Sequence, residues 1–198
     1  MNEEFLSRFE VHEWRHALAV LERDFPDEFD DITAVLGSIT IYRSDVVSGG
    51  GGRSIIARTI DGGFEARGWR AKSWETQIVV DDEALRSPTH EVDSYKNRVA
   101  IELEWNNKDP FFDRDLNNFR LLFDLRAISV GVIITKSDEL APALHGLGVW
   151  KKYGTSTTWM HKLLPRLEGG GGGGCPILAF GIRRSVVDER RDRPNEQG

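Results

Sequence analysis

Asp93, Glu102 and Glu104 are separated by eight residues and then by one, in the run Asp93-Ser-Tyr-Lys-Asn-Arg-Val-Ala-Ile-Glu102-Leu-Glu104. The aliphatic residues Val99, Ala100 and Ile101 favour an extended strand. Side chains alternate along a strand, so Glu102 and Glu104 share one face, while Ile101, Leu103 and Trp105 take the other and enter a core. Neighbouring carboxylates repel. In a partly buried sheet that repulsion costs stability unless a proton or a cation relieves it. A hairpin that folds back brings Asp93 to the same end of the strand. Three carboxylates offering only oxygen suit a hard divalent ion such as Mg²⁺. A strand with one solvated acidic face is the plainer reading. Against it stands the dense polar run Trp105-Asn-Asn-Lys-Asp-Pro110 at the end of the strand, with a helix and a second apolar strand after it. This places the acids at one end of a sheet core.

The elements that must hold these residues follow from periodicity. A helix is expected over 110–126, with Phe112, Leu116, Phe119 and Phe123 as its stripe, and a buried strand over 128–135. A strand–helix–strand unit of this length is normally a parallel crossover, so 99–105 and 128–135 are expected side by side. Upstream, helices are expected over 13–25 and, after Pro26, over 26–37. His12 and His16 are four apart on the first. They lack a third ligand and read as surface or packing histidines. Residues 39–42 suggest a short strand and 49–52 a flexible glycine loop, which lacks the Gly-Lys-Ser/Thr of a P-loop. Residues 55–67 have helical spacing weakened by Gly62-Gly63. Residues 69–80 read as an extended hairpin-like segment, clearest over 77–80, and 81–83 as a solvated turn or helix start. Ser137 opens a short helix, and another is expected over 157–164. The six glycines 169–174 read as a flexible loop, 175–182 as a last apolar strand, and the chain from 183 as a frayed tail.

Composition bounds the classes. A chain of 198 residues, 39% hydrophobic and 29% charged, suits one domain. No apolar run approaches the roughly 20 residues of a membrane span. The N-terminus Met-Asn-Glu-Glu-Phe has no signal-peptide core. One cysteine excludes an intrachain disulfide framework and a cysteine-based zinc site. Cys175 reads as a small buried residue. A cytoplasmic location with no membrane partner is the expectation. The net charge of −6 argues mildly against nucleic acid. Yet 142–167 contains no Asp or Glu and holds Lys151, Lys152, Lys162 and Arg166 among His145, Trp150, Tyr153 and Trp159. Such a stretch can line a phosphate backbone. A solvated basic loop and helix explain it equally well.

The run Lys-Asn-Arg-Val-Ala-Ile-Glu-Leu-Glu with its preceding Asp93 resembles the BglII/BstYI family of type II restriction endonucleases and, more distantly, BamHI. The likeness continues through the next helix and 129–140. It returns in the glycine-rich loop and in Cys175-Pro-Ile-Leu-Ala-Phe-Gly-Ile182, and is weaker in Phe64-Glu-Ala-Arg-Gly-Trp69. It spans about two-thirds of the chain and is weakest over the first 50 residues.

The resemblance implies an α/β (α+β) nuclease fold of the P-D…(D/E)-x-K type, a central mixed sheet flanked by helices. It would be one domain, 1–198, with an N-terminal helical part at 1–50, a catalytic core at 88–182 and a flexible tail at 183–198. It also implies a Mg²⁺-dependent homodimer that cuts palindromic double-stranded DNA around a GATC core, paired with a methyltransferase acting on the same site. Asp93 and Glu102 would bind the metal, with the Leu103 carbonyl as a further ligand. Glu104 stands where the broad class has Lys, where BglII and BstYI have Gln, and where BamHI has Glu. It completes the catalytic set as a base, a water-orienting group or an added ligand. Asn106 and Asn107 fall where family members contact DNA. Lys108, Lys136 and Lys151 are further candidates for base or phosphate contacts. A repair or structure-specific nuclease of the same fold and a non-catalytic DNA-binding module remain the alternatives.

Overall fold

The computed structural model describes residues 1–48, 53–86 and 89–194, so the glycine loop expected at 49–52 lies outside the described residues. In chain order the elements begin with α1 (Glu3–Arg8), β1 (Phe9–Trp14), α2 (Ala17–Asp24), α3 (Pro26–Ser38), β2 (Ile41–Tyr42), α4 (Arg43–Val47) and α5 (Ile55–Glu65). Four strands follow, β3 (Arg70–Lys72), β4 (Gln77–Val80), β5 (Glu83–Arg86) and β6 (Val92–Lys96). Then come β7 (Val99–Glu104), α6 (Phe111–Asp124), β8 (Val130–Lys136), α7 (Ala141–Gly146), α8 (Trp150–Tyr153), α9 (Met160–Glu168), β9 (Ile177–Ile182) and β10 (Val187–Asp188).

Six strands form one mixed sheet in the order β1-β9-β8-β7-β6-β3. Its centre, β7, β8 and β9, is parallel, with Glu102 beside Ile133 and Glu104 beside Thr135. Strands β6 and β7 form the antiparallel hairpin expected from the sequence, with Ser94 opposite Ile101. Both faces are covered. On one, Ile101, Leu103 and Trp105 join a core with residues of α2, α3 and α5. On the other, Phe112, Leu116, Phe119 and Leu122 of α6 and Met160 and Leu163 of α9 pack over Ala100, Ile133 and Ala179. This is the helix-flanked mixed sheet that the sequence suggested.

Several local expectations need correction. Residues 9–14 are a strand, not the start of a helix. Phe-Glu-Val-His-Glu-Trp alternates, and it pairs antiparallel with β9 along its whole length. Arg15 and His16 then adopt left-handed backbone (φ 53° and 59°) and turn the chain into α2. His12 and His16 are therefore not one turn apart on a helix, and the N-terminal part is not purely helical. Residues 55–65 are helical despite Gly62-Gly63. Ser54 caps the helix, its hydroxyl accepting from the Ala57 N–H at 3.1 Å. The 69–80 segment splits: β3 joins the main sheet beside β6, and β4 pairs with β5 as a separate hairpin. The six glycines form a turn closed by backbone bonds such as Gly171 N–H to Arg166 C=O at 2.8 Å. Gly173 there has φ 58°, and a Cβ would lie 2.6 Å from Arg120 Cγ.

The chain beyond Arg183 does not fray over its described length. β10 pairs with β2, and the Arg193 guanidinium meets Asp45 at 2.8 Å. Asp45 is 2% exposed, and a buried carboxylate requires such a partner. No helix of the described residues is long and apolar enough to cross a membrane.

The crossover helix presses closely on the sheet. A Cβ on Gly131 in β8 would lie 2.4 Å from Phe119 Cδ2. Gly131→Ala is therefore expected to destabilise the fold by about 1–3 kcal/mol through overpacking, read from the midpoint of urea unfolding. An unchanged midpoint would mean that α6 is not seated on β8 as described.

Candidate active site

All six residues of β7 are buried. Its alternation still governs the site. Glu102 and Glu104 (1% and 0% exposed) point to the α6 side and not to water. Asp115 of α6, also 0% exposed, meets them there. Arg114 donates to Asp115 Oδ1 from Nε at 2.8 Å and from Nη2 at 2.7 Å, and lies 3.6 Å from Glu104 Oε1. Asn107 donates to the same Glu104 oxygen at 3.0 Å. Among the described residues Arg114 is the one cation in ion-pair contact with these buried carboxyls, and the Lys136 ammonium acts on Glu104 from farther away. Burial, and then Asp115, pushes Glu104 up to about 9. Burial, Asp115 and Asp93 hold Glu102 well above the ordinary carboxylate range, and burial raises Asp115 as well.

Asp93 sits at the opening of this cluster. The β6 register shifts between Tyr95 and Val92 relative to β3, an irregularity of the kind that re-aims side chains. The Asp93 N–H donates to Glu102 Oε2 at 3.3 Å, and Asp93 Oδ2 accepts from the Leu103 N–H at 2.8 Å. The hairpin therefore brings Asp93, Glu102 and the Leu103 backbone into contact. Asp93 Oδ1 meets Arg53 at 3.2 Å, and Arg53 also pairs with Asp61 at 2.7 Å. Burial raises Asp61 to about 6 despite that partner. Asp93, Leu103, Trp105, Asn106 and Asn107 line a cleft of about 440 Å³, to which Arg53, Arg58 and Lys152 bring positive charge.

The other expected contact residues divide. Asn106 lies in the cleft, and its Oδ1 is buried without a hydrogen-bond partner among the described residues. Asn107 lines it too, but spends its amide on Glu104. Lys108 and Lys151 are exposed. Lys136 is not a surface residue. It is 0% exposed, donates to the Trp105 carbonyl, and lies 4.9 Å from the Trp159 ring centroid. Its place at the end of a central strand buries it, so it leaves the set of candidate DNA contacts. Burial lowers its ammonium to about 7. Much of the basic 142–167 stretch is likewise engaged. Lys162 pairs with Asp109 at 3.2 Å, Arg166 with Asp113 at 2.8 Å, and Tyr153 and Trp159 are buried. Cys175 is buried and raised to about 12, which fits a packing role.

Arg53, Asp115 and Arg114 escaped the sequence reading as site residues. Asp115 carried a signal. It lies three positions after Phe112 and four before Phe119, so helical spacing sets this carboxylate within the apolar stripe. Nothing in the spacing ties Arg53 to Asp93. Their meeting is tertiary.

The donors suit a divalent cation. Among the described residues, Glu102 Oε1 is a buried oxygen with no hydrogen-bond partner, and the buried Glu104 Oε2 and Asp115 Oδ2 meet no donor except the shared carboxyl contact between Glu104 and Asp115. The model of the restriction endonuclease BglII/BglIII family matches residues 9–182, which takes in the whole six-stranded sheet from the start of β1 to the end of β9. The chain belongs to the BglII restriction endonuclease family. A comparison with curated proteins found no match. Membership makes the chain a type II restriction endonuclease, with DNA as its substrate.

Raised carboxyl pKa values make a prediction about pH. The folded state holds these protons more tightly than the unfolded chain, so stability without divalent cation falls as pH rises from about 5 to 7. Lys136, lowered to about 7, acts in the opposite sense only above that pH. Glu104→Gln is expected to flatten the fall, as read by urea unfolding in EDTA. A wild-type slope that is flat or rising over this window would contradict the protonated cluster.

Proposed function

We propose that this BglII-family endonuclease makes Mg²⁺-dependent double-strand cuts at a short palindromic DNA site with a GATC core. The observation that carries the reading is the contact of Asp93, Glu102 and the Leu103 backbone at the edge of a cationic cleft. Asp93, Glu102 and the Leu103 carbonyl would hold the Mg²⁺, which when bound supplies Lewis acidity and an acidified water. Arg53 then exchanges Asp93 for a DNA phosphate in the same cleft. Asn106 is available for a base edge, and Lys108 and Lys151 for phosphates. Asn107 positions Glu104 through its amide. Burial raises the Glu104 carboxyl to about 9, so it would release a proton as an acid, and would serve as a base toward water only after that proton has left.

A palindromic site calls for two-fold symmetry. The exposed Phe111, Leu121 and Leu125 on the outer side of α6 support a homodimer built on that helix. A cytoplasmic location and a methyltransferase protecting the same site complete the proposal.

Incubation with unmethylated plasmid should give discrete fragments with Mg²⁺ and none with EDTA, and sequencing of the ends should show one common motif. Asp93→Asn and Glu102→Gln are each expected to lower cleavage at least about 10²-fold, because a lost metal ligand removes several kcal/mol of transition-state stabilisation. Glu104→Gln separates roles: retention of most activity would show that it is not an obligatory base. Smeared products would favour a structure-specific or nonspecific nuclease. Intact DNA with folded, Mg²⁺-bound protein would favour a binding module.

A further inference from the structure

The polar atoms left over on the α6 side of β7 point to more than one carboxylate function. Glu102 has two distinct surroundings. Its Oε2 accepts from the Asp93 N–H, whereas its Oε1 is buried and unpartnered among the described residues. Asp115 is arranged differently. Its Oδ1 takes both Arg114 donors, and its buried Oδ2 meets no donor among the described residues other than the neighbouring carboxyl of Glu104, with which it can share a proton or a cation. His90, exposed on the segment leading into β6, offers a ring nitrogen to the same place. One ligand atom each from His90, Glu102 and Asp115 lie within 4.8 Å of one another. The backbone there is fixed, because Asn118 of α6 donates its amide to the His90 carbonyl at 3.2 Å.

We infer that His90, Glu102 and Asp115 form a second divalent-metal position, on the α6 side of β7 and separate from Asp93. It shares Glu102 with the cation site of the proposed function but does not depend on DNA cleavage being the activity. The ligands come from three elements: the segment before β6, β7 and α6. Two carboxylates and one imidazole make a softer set than oxygen alone, so the position favours Mn²⁺ and later transition ions over Mg²⁺. The exposed imidazole is the side open to solvent, and the carboxylates form the buried floor. The cation also offsets the negative charge that Arg114 alone leaves there.

The test is Mn²⁺ binding to the full chain without DNA, followed by electron paramagnetic resonance. Bound Mn²⁺ in the wild type should show coupling to an imidazole nitrogen. His90→Gln, at an exposed position that does not threaten folding, should remove that coupling and weaken binding by about tenfold or more. Asp115→Asn should do the same, with folding checked by thermal unfolding in EDTA. Asp93→Asn should keep the nitrogen coupling. Absence of coupling in the wild type, its survival in His90→Gln or Asp115→Asn, or its loss in Asp93→Asn would overturn the assignment. The plasmid assay reads the cleavage proposal separately, so failure of one does not decide the other.

Discussion

The burial of Glu102, Glu104 and Asp115 together between β7 and α6 is the constraint on which the rest depends. Three carboxyls with one guanidinium cannot all stay ionised in a dry layer. The fold nevertheless presses them together. Phe119 lies against the bare backbone of Gly131. The loop after β7 is tied down as the Thr135 and Thr158 hydroxyls both donate to the Glu104 carbonyl at 2.9 Å. Such an arrangement opposes stability, and proteins keep local conflicts of this kind where function requires them. A proton can relieve it, as the raised pKa values show, and so can a cation.

The two sides of β7 divide the work. On the α6 side lie the buried acids. On the other, Leu103 and Trp105 reach the cleft with its three basic residues. Asp93 belongs to both, because its N–H binds Glu102 and its carboxylate meets Leu103 and Arg53. The overall charge of −6 thus conceals a local cationic surface beside an anionic site.

Much of the architecture was legible in the sequence where periodicity was strong and local. The β6–β7 hairpin, α6 and the parallel partner β8 followed from apolar spacing alone, and the two faces of β7 from its alternation. The spacing of Asp93, Glu102 and Glu104 led to the right hairpin. Elements set by distant partners were not legible. Residues 9–14 become a strand because β9 offers them an edge, and the segment after Arg183 is held by the buried Asp45. Lys136 reads as a surface lysine until the tryptophans around it are known. Asp115 was visible as a polar residue in an apolar stripe, but its partners required the fold.

The most direct measurement is the unfolding free energy of wild type and Glu102→Gln, side by side at pH 8, first in EDTA and then with Mg²⁺. If the carboxylates are packed together for a cation, Glu102→Gln is at least as stable as wild type in EDTA. Added Mg²⁺ then stabilises the wild type, by about 2.7 kcal/mol at a hundredfold excess over its dissociation constant, and leaves the variant unmoved. A variant less stable than wild type in EDTA, with Mg²⁺ stabilising neither, would show that Glu102 is a structural residue and that the cluster is not a metal site.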